Sequence, residues 1–432
     1  MGLEREKGNY VFTDAQNHMC CTLPGKWRVK ECGTKELPTM TEEEIRKAVV
    51  HPSCGKRLSD IVREKEAHTV CVLISDATRA VPTAKLAGYV MEELTEAGIA
   101  LSDVTFFVAI GVHRPATEEE FREMLGDLYG KVKIENHTPF DEDNLIMLGT
   151  TTRGTPVKVN KRAYACDLHI QIGKVEPHEF AGFSGGRKSV LPGISSEETI
   201  ITNHRPEMIL DPRSAIGTLE GNPVHEDMTE SAEMFGIDFA VNCIINGELK
   251  LSAVYAGELK KSHETAVDFV RERLGVRIEK ADVIVTAPGF PLDIDFYQSV
   301  KALIALTEVL DESTSVVLRC GCREGVNSPD MLRAFRAGDD LETVVKYAAE
   351  HYKIQMDHVL LLAKILRKKV KIYVVCDHVP DEEIRDMFMI PCAGLQEAVE
   401  RAAAESGKER PEILFYPRPQ TGLPVLEKRQ PQ

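Results

Sequence analysis

Two short, almost wholly apolar runs constrain this chain more than any other feature: Thr69 to Ile74 and Val104 to Ile110. Each has the length of a strand and lacks polar alternation, so each must be buried on both faces. Between them, residues 82–97 show helical periodicity, and after the second run Thr117 and Glu120 form a capping box that opens another helix. Strand, helix, strand, helix at this spacing implies a parallel sheet covered by helices. The pattern returns at Asp282 to Ala287, a helix near 296–310, Ser315 to Leu318, helices over 328–366, Lys371 to Val375, a helix near 394–404 and a last strand at Ile413 to Phe415. In the 394–404 helix, Leu395, Ala398, Val399 and Ala402 share one face, the expected core stripe.

The reading is α/β: two α/β domains with mostly parallel sheets and the active site in the cleft between them. Residues 1–275 form an N-terminal cofactor-binding domain, to which 405–432 can return, and 285–404 form a C-terminal domain. Between about 130 and 270 the pattern weakens into hairpin-like strands and glycine-containing loops. The stretch before Val62 reads as irregular, apart from a short helix opened by a capping box at Thr41 and Glu44. The tail from Tyr416 reads as poorly ordered beyond its first residues, and no internal repeat is visible.

Composition narrows the partners. With Lys plus Arg at 53 against 68 for Asp plus Glu, the net charge of −15 disfavours nucleic acid and anionic membrane. No run approaches the ~18 apolar residues of a membrane span, and the opening MGLEREKGNY has no apolar core of a signal peptide. The 11 cysteines are odd in number and scattered, which argues against a disulfide framework and for a cytoplasmic protein. Cys320-Gly-Cys322 has no second pair at zinc spacing and reads as small residues packing at a strand end.

Ligands of open parallel sheets bind beyond the carboxyl ends of the strands. The first run leads into Ser75-Asp76-Ala77-Thr78-Arg79 and the second into Gly111-Val112-His113-Arg114-Pro115. Asp76, Thr78 and Arg79 offer an acceptor, a hydroxyl and a guanidinium able to grip a carboxylate with two prongs. His113 offers an imidazole suited to proton transfer near neutral pH. Taken singly, Asp76 and Thr78 serve equally well as helix caps, and His113 as an ordinary surface histidine. Two polar clusters at matching strand ends weigh more than either alone.

The densest segment runs from His178 to Gly193. Gly182, Gly185 and Gly186 precede Arg187-Lys188-Ser189, a pattern that suggests backbone amides wrapped around an anion. A P-loop requires a glycine, four residues, then Gly-Lys-Ser or Gly-Lys-Thr; counted from Gly182, the second glycine position holds Arg187. The preceding residues also lack a clear buried strand, so a nucleotide triphosphatase is set aside. Sixteen residues past Lys188 stands His204. A lone histidine is usually structural, but two around a lysine among glycines suggest a metal or cofactor site. In the second half, Gln298 and Lys301 are three apart and share a helix face, directed either toward a cleft or simply to solvent. An NAD-dependent dehydrogenase would need Gly-x-Gly-x-x-Gly after its first strand, and the residues after Ile74 contain no glycine there.

Taken together these segments resemble the nickel-pincer-dependent lactate racemase family of 2-hydroxyacid racemases and epimerases. Five separated motifs carry the resemblance, in order, from about residue 10 to about 415: Asp76-Ala-Thr-Arg79, Gly111-Val-His-Arg-Pro115, His178 through Gly193, His204, and Tyr297-Gln-Ser-Val-Lys301. The turn Gly321-Cys-Arg-Glu-Gly325 is similar to the family's second domain as well. The resemblance implies nickel and a pyridinium-3-thioamide-5-thiocarboxylic acid mononucleotide, covalently linked to Lys188, with His204 as the protein's ligand to the metal. It implies that Asp76, Thr78, Gly185 and Gly186 help hold the mononucleotide. His113 and His178 then act as general acid and base on either side of the substrate, while hydride leaves carbon 2 for the cofactor and returns to the opposite face. Arg79, Gln298 and Lys301 bind the substrate carboxylate. Separate cofactor-assembly proteins are implied as transient partners, with a small 2-hydroxyacid as substrate.

Two departures refine this expectation. The family often places proline directly after the arginine of its first motif, where this chain has Ala80. Lactate-active members place a tryptophan near the substrate in the second domain, whereas the only tryptophan here is Trp27. A pocket without that indole favours a larger hydroxyacid over lactate. The alternative is a carrier or sensor of the same cofactor, which needs Lys188 and His204 but neither His113 nor His178. The presence of all four favours the enzyme.

Overall fold

The computed structural model describes residues 2–427. The chain divides into two compact units, one of residues 36–204 and 217–273, the other of residues 2–35, 205–216 and 274–427. Both are α/β with mostly parallel sheets.

The first unit is built on a six-stranded sheet in the order Leu251–Gly257, Phe239–Ile245, Leu168–Lys174, Val70–Ser75, Val104–Ala109, Lys133–Asn136. All neighbours run parallel except Leu251–Gly257, which is antiparallel to Phe239–Ile245. The side chains of alternate strand residues divide between two cores, as the period of two requires. Val70, Val72, Ile74, Phe106 and Ile170 pack with Ile45, Leu86, Val90 and Leu94 of the helices Glu42–Val50 and Thr83–Glu96. Cys71, Leu73 and Phe107 pack on the other face with Val157, Val190, Ala232 and Phe235. Both capping boxes read from the sequence form, at Thr41–Glu44 and Thr117–Glu120.

Chain order reverses between Val70–Ser75 and Leu168–Lys174: later strands add to one side of the former, then to the other. Such a switch point splays the connections apart and leaves a crevice at the carboxyl ends. The strand Leu168–Lys174 was not expected from the sequence, where residues 130–270 read as weakly patterned. It is buried through Gly173 and stands directly before the glycine-rich segment, so that segment does follow a buried strand. Polar His169 and Gln171 break its apolar run, which concealed it. The P-loop register still fails at Arg187.

The second unit has an all-parallel six-stranded sheet, ordered Ile390–Pro391, Lys371–Cys376, Ser315–Cys320, Val283–Thr286, Glu412–Phe415, Arg28–Glu31. Residues 2–31 therefore belong here and not with the sequence-expected 1–275 domain. A three-stranded antiparallel meander, Gly2–Glu6, Asn9–Asp14 and Met19–Leu23, lays Phe12 on Phe415 with ring centroids 3.8 Å apart. That apolar stack, with Met19, Cys21, Leu23 and the helix Leu395–Glu405, closes one face of the sheet. The stretch before Val62, read as irregular, is thus strand and helix. Of the 405–432 segment, the described residues, to 427, stay with the second unit as well, since Glu412–Phe415 lies between Val283–Thr286 and Arg28–Glu31. The tail read as poorly ordered forms a strand, Leu423–Leu426, parallel to Gly275–Ile278; its last five residues lie outside the described ones. No helix among the described residues is long and apolar enough to cross a membrane.

Candidate active site

Three strand ends of the first unit carry the candidate residues. Asp76 follows Val70–Ser75 and caps a single 3-10 turn, Ala77–Arg79, by accepting the Thr78 N–H at 2.9 Å and the Thr78 hydroxyl. The capping role is therefore real, but it uses only Oδ1. Oδ2 faces His113 Nδ1 at 3.2 Å, with Arg79 Nε 3.6 Å away. Burial raises the Asp76 pKa, yet the contacts with His113, Thr78 and Arg79 outweigh it and bring the value down to about 2. Asp76 is thus a fixed anion that orients the His113 ring through Nδ1 and leaves Nε2 as the nitrogen able to accept a proton. His113 reaches this position because Gly111, at φ +55°, turns the chain after Val104–Ala109 and donates its N–H to Gly193.

The second cluster grows from the segment after Leu168–Lys174. Pro177–His178 pairs with Gly182–Phe183 in a minimal antiparallel ladder, which stands the His178 ring against Phe180, edge to face at 4.8 Å. The opposite neighbour of Phe180 is His204, also edge to face, at 5.1 Å. His178 Nε2 lies 3.0 Å from Lys188 Nζ, and that ammonium sits 5.9 Å from the Phe180 ring centre. One phenylalanine thus gathers the two histidines and the lysine that the sequence places within 27 residues. Phe180 carries no chemistry of its own and was not singled out from the sequence.

His204 ends the helix Glu197–Asn203, and its Nδ1 donates to the Ile200 carbonyl at 3.0 Å. That bond selects the tautomer whose Nε2 holds a lone pair. Burial, with the Lys188 charge second, lowers its pKa to about 3, so the imidazole stays neutral. A neutral, buried imidazole with a committed Nδ1–H has the character of a metal ligand.

The glycines behave differently from the anion cradle read in the sequence. Gly186 spends its N–H on Asn242 Oδ1 at 3.0 Å, and a side chain there would strike the His263 ring. A Cβ on Gly185, at φ +77°, would lie 2.6 Å from Val175 Cγ2. Both glycines are thus required for the loop to press against its own unit. Arg187, read as part of a basic pair facing an anion, is 3% exposed and turned inward. It donates to the carbonyls of Ala181, Ser184 and Gly185 and meets His263 Nε2 at 2.9 Å. Burial brings its pKa down to about 9. Its work is to hold the loop that presents Lys188.

Gln171, wholly buried on the sheet face beneath this loop, has neither side-chain polar atom hydrogen-bonded. A Cβ on neighbouring Gly173 would lie 2.6 Å from Gln171 Nε2 and 3.7 Å from Ser75 Oγ. An orphaned amide at a switch point is a place where a polar ligand group recovers hydrogen bonds. Its position mid-strand hid it from motif reading.

In the second unit, Asp295 caps the turn Phe296–Ser299 through the Gln298 N–H at 2.6 Å and accepts from Asn327 at 2.9 Å. The single helix expected near 296–310 is divided into Phe296–Ser299, Lys301–Ala305 and a 3-10 turn, Thr307–Val309. Gln298 and Lys301 are both half-buried. Tyr297 stacks on His358 at 4.0 Å.

Two parallel-sheet units, one with a carboxylate–imidazole pair and an imidazole–lysine cluster at its strand ends, define an α/β enzyme equipped for proton transfer. The particular family follows from likeness to known proteins. Residues 15–217 match the lactate racemase N-terminal domain and residues 276–418 the lactate racemase C-terminal domain, and the chain belongs to this family. It is 33% identical over 381 residues to the lactate racemase of Thermoanaerobacterium thermosaccharolyticum, covering 86% of this chain and 88% of that one. To the lactate racemase of Lactiplantibacillus plantarum it is 30% identical over 385 residues, 88% of this chain and 90% of that one. The solved lactate racemase apoprotein from T. thermosaccharolyticum superposes with a TM-score of 0.85 at 29% identity, over 95% of this chain and 97% of that one. A protein from Thermotoga maritima shares the fold, at TM-score 0.64 and 20% identity, over 91% of this chain and all of that one. The chain is an isomerase, a racemase of 2-hydroxyacids.

Proposed function

We propose that this racemase inverts carbon 2 of a hydroxyacid larger than lactate, using a nickel-pincer mononucleotide tethered to Lys188 and ligated by His204. The observation that carries the reading is the cluster around Phe180. There a neutral, tautomer-fixed imidazole, an amine and a second imidazole meet in one place. The donor set fits the group: an imidazole nitrogen suits nickel beside sulfur donors, a lysine amine can be acylated, and the Gln171 amide offers an unused donor and acceptor. When bound, the cofactor supplies the hydride acceptor and donor that protein side chains lack.

Every other task falls to the chain itself. His113, oriented by Asp76, holds the substrate hydroxyl proton on one side, and His178 holds it on the other. Inversion without bias needs a base for each enantiomer. Arg79, half-exposed at the end of its turn, grips the carboxylate with Gln298 and Lys301, so that only the reacting carbon changes hand. Asp76 and Thr78 are bound to one another and to His113, so in this scheme they position the base more than they hold the mononucleotide. Preference for a larger acid is supported by Trp27, the only tryptophan, which packs at the edge of the second unit's core. A cytoplasmic setting, in which the cysteines stay reduced and form no disulfide, and delivery of the cofactor by separate assembly proteins belong to the same reading.

The test is co-expression with the cofactor-assembly proteins, then a panel of 2-hydroxyacids deuterated at carbon 2. Retention of deuterium in the inverted product of a larger acid is expected. Turnover of lactate alone removes the substrate assignment, wash-out of the label removes internal hydride return, and cofactor binding with no turnover leaves a carrier.

A further inference from the structure

The second unit holds a cluster that plays no part in the chemistry above. Cys320 and Cys376 are register partners at the carboxyl ends of adjacent parallel strands, Ser315–Cys320 and Lys371–Cys376. Cys322 stands two residues on, in the left-handed region at φ +54°, which turns its side chain back toward the other two. The three sulfurs all lie within 4.8 Å of one another, and Cys320 and Cys322 are essentially inaccessible. The Ser299 hydroxyl, itself fully buried, is 3.4 Å from Cys322 Sγ. Cys376 Sγ donates to the Gly321 carbonyl at 3.8 Å, which links the second strand end to the turn that carries Cys322. The Arg319 guanidinium donates to the Cys320 carbonyl at 2.5 Å and pairs with Asp377 at 2.7 Å, which ties together the ends of the two strands that carry Cys320 and Cys376.

We propose that Cys320, Cys322 and Cys376 form a second metal site, distinct from the His204 centre, that takes a thiophilic ion such as zinc(II), with Ser299 or a water at the fourth position. Three thiolates around one point match what such an ion demands. With zinc–sulfur bonds of ~2.3 Å, tetrahedral geometry needs sulfurs about 3.8 Å apart, a contraction that side-chain rotation provides. A disulfide would join two sulfurs and leave the third without a purpose. Binding exchanges the thiol protons for the ion, with no change of oxidation state. The site would brace this turn: Cys322 N–H donates to Asp293, Glu324 N–H to Ile294 and Phe296 N–H to Gly325, so the Gly321–Gly325 turn straps the segment carrying Tyr297 and Gln298.

Cobalt(II) titration of the full-length, reduced, chelator-stripped chain tests this. One equivalent should produce thiolate-to-cobalt charge transfer in the near ultraviolet, displaced by zinc(II). Cys376→Ser, at a half-buried position, should weaken binding by about tenfold or more, with an unchanged far-ultraviolet circular dichroism spectrum. His204→Ala should leave the band intact. As a second measurement, elemental analysis of wild-type chain loaded with zinc should retain about one ion per chain through gel filtration. Absence of the band at stoichiometric cobalt overturns the proposal, as does a folded Cys376→Ser chain that binds cobalt as tightly as wild type, or loss of the band in His204→Ala.

Discussion

The pairing of Asp76 with His113 is where a residue's chemistry depends most on its neighbour. A carboxylate held near pKa 2 stays charged across the working range and favours the ring proton on Nδ1. Asp76→Asn removes the charge while keeping the shape, so we expect kcat to fall by about 10²-fold or more, with a shifted lower limb of the pH–rate profile and unchanged cofactor absorbance. An unshifted profile would reduce Asp76 to a cap. Lys188→Ala should eliminate the covalent adduct, which intact-protein mass spectrometry reads directly. Both side chains were legible in the sequence as polar residues beyond apolar runs. Their partners were not, because Asp76 and His113 stand 37 residues apart and meet only when two strands align Ser75 with Ala109.

At the scale of the element, the glycine-rich segment is the clearest case of a motif whose orientation its spacing does not give. Its glycines and basic pair suggested amides and charges facing an anion. Instead Arg187 faces inward and satisfies three carbonyls of its own loop, and Gly186 gives its amide to Asn242. Spacing cannot say which of two adjacent cations turns inward; the packing of His263 against Gly186 decides it. Arg187→Met should cost about 1–3 kcal/mol, the penalty for leaving buried acceptors without donors, read as a lowered Tm. It should also impair tethering at Lys188. Arg187→Lys should not restore either property, since an ammonium lacks the planar fork that spans the loop. The strand Leu168–Lys174 shows the opposite failure: its central place comes from pairing on both sides, which no local pattern reveals.

At the scale of the molecule, burial of neutral histidines sets the response to acid. His137 is lowered to about 4, His204 and His225 to about 3, each chiefly by burial, and His263 also falls well below its usual value. Below an unfolded pKa near 6.5 the unfolded chain takes up protons that the folded one refuses, so stability is complete above pH 6.5 and declines as pH falls toward 4. Each such group costs on the order of 1.4 kcal/mol per pH unit in that window. Thermal melts should therefore show Tm dropping steeply between pH 6.5 and 5, and a pH-independent Tm there would contradict the burial. Removal of residues 1–35 should unfold the second unit, because it takes away the edge strand Arg28–Glu31 and Phe12 from the Phe415 stack; circular dichroism of the truncated chain gives the answer.

Apolar runs of strand length, capping boxes and the polar motifs that follow them are local, so they were determined by sequence alone: two parallel α/β sheets, and His113, His178, Lys188 and His204 as the residues to examine. Tertiary structure decided which residues share a sheet and which atoms meet. It joined residues 2–31 to a strand nearly four hundred residues later, turned Arg187 away from the anion it was expected to face, and brought Cys376 to Cys320 and Cys322. Local order follows from backbone sterics and periodic burial, which act over a few residues. Partnership depends on register and packing between segments distant in the chain, and no run of neighbours carries that information.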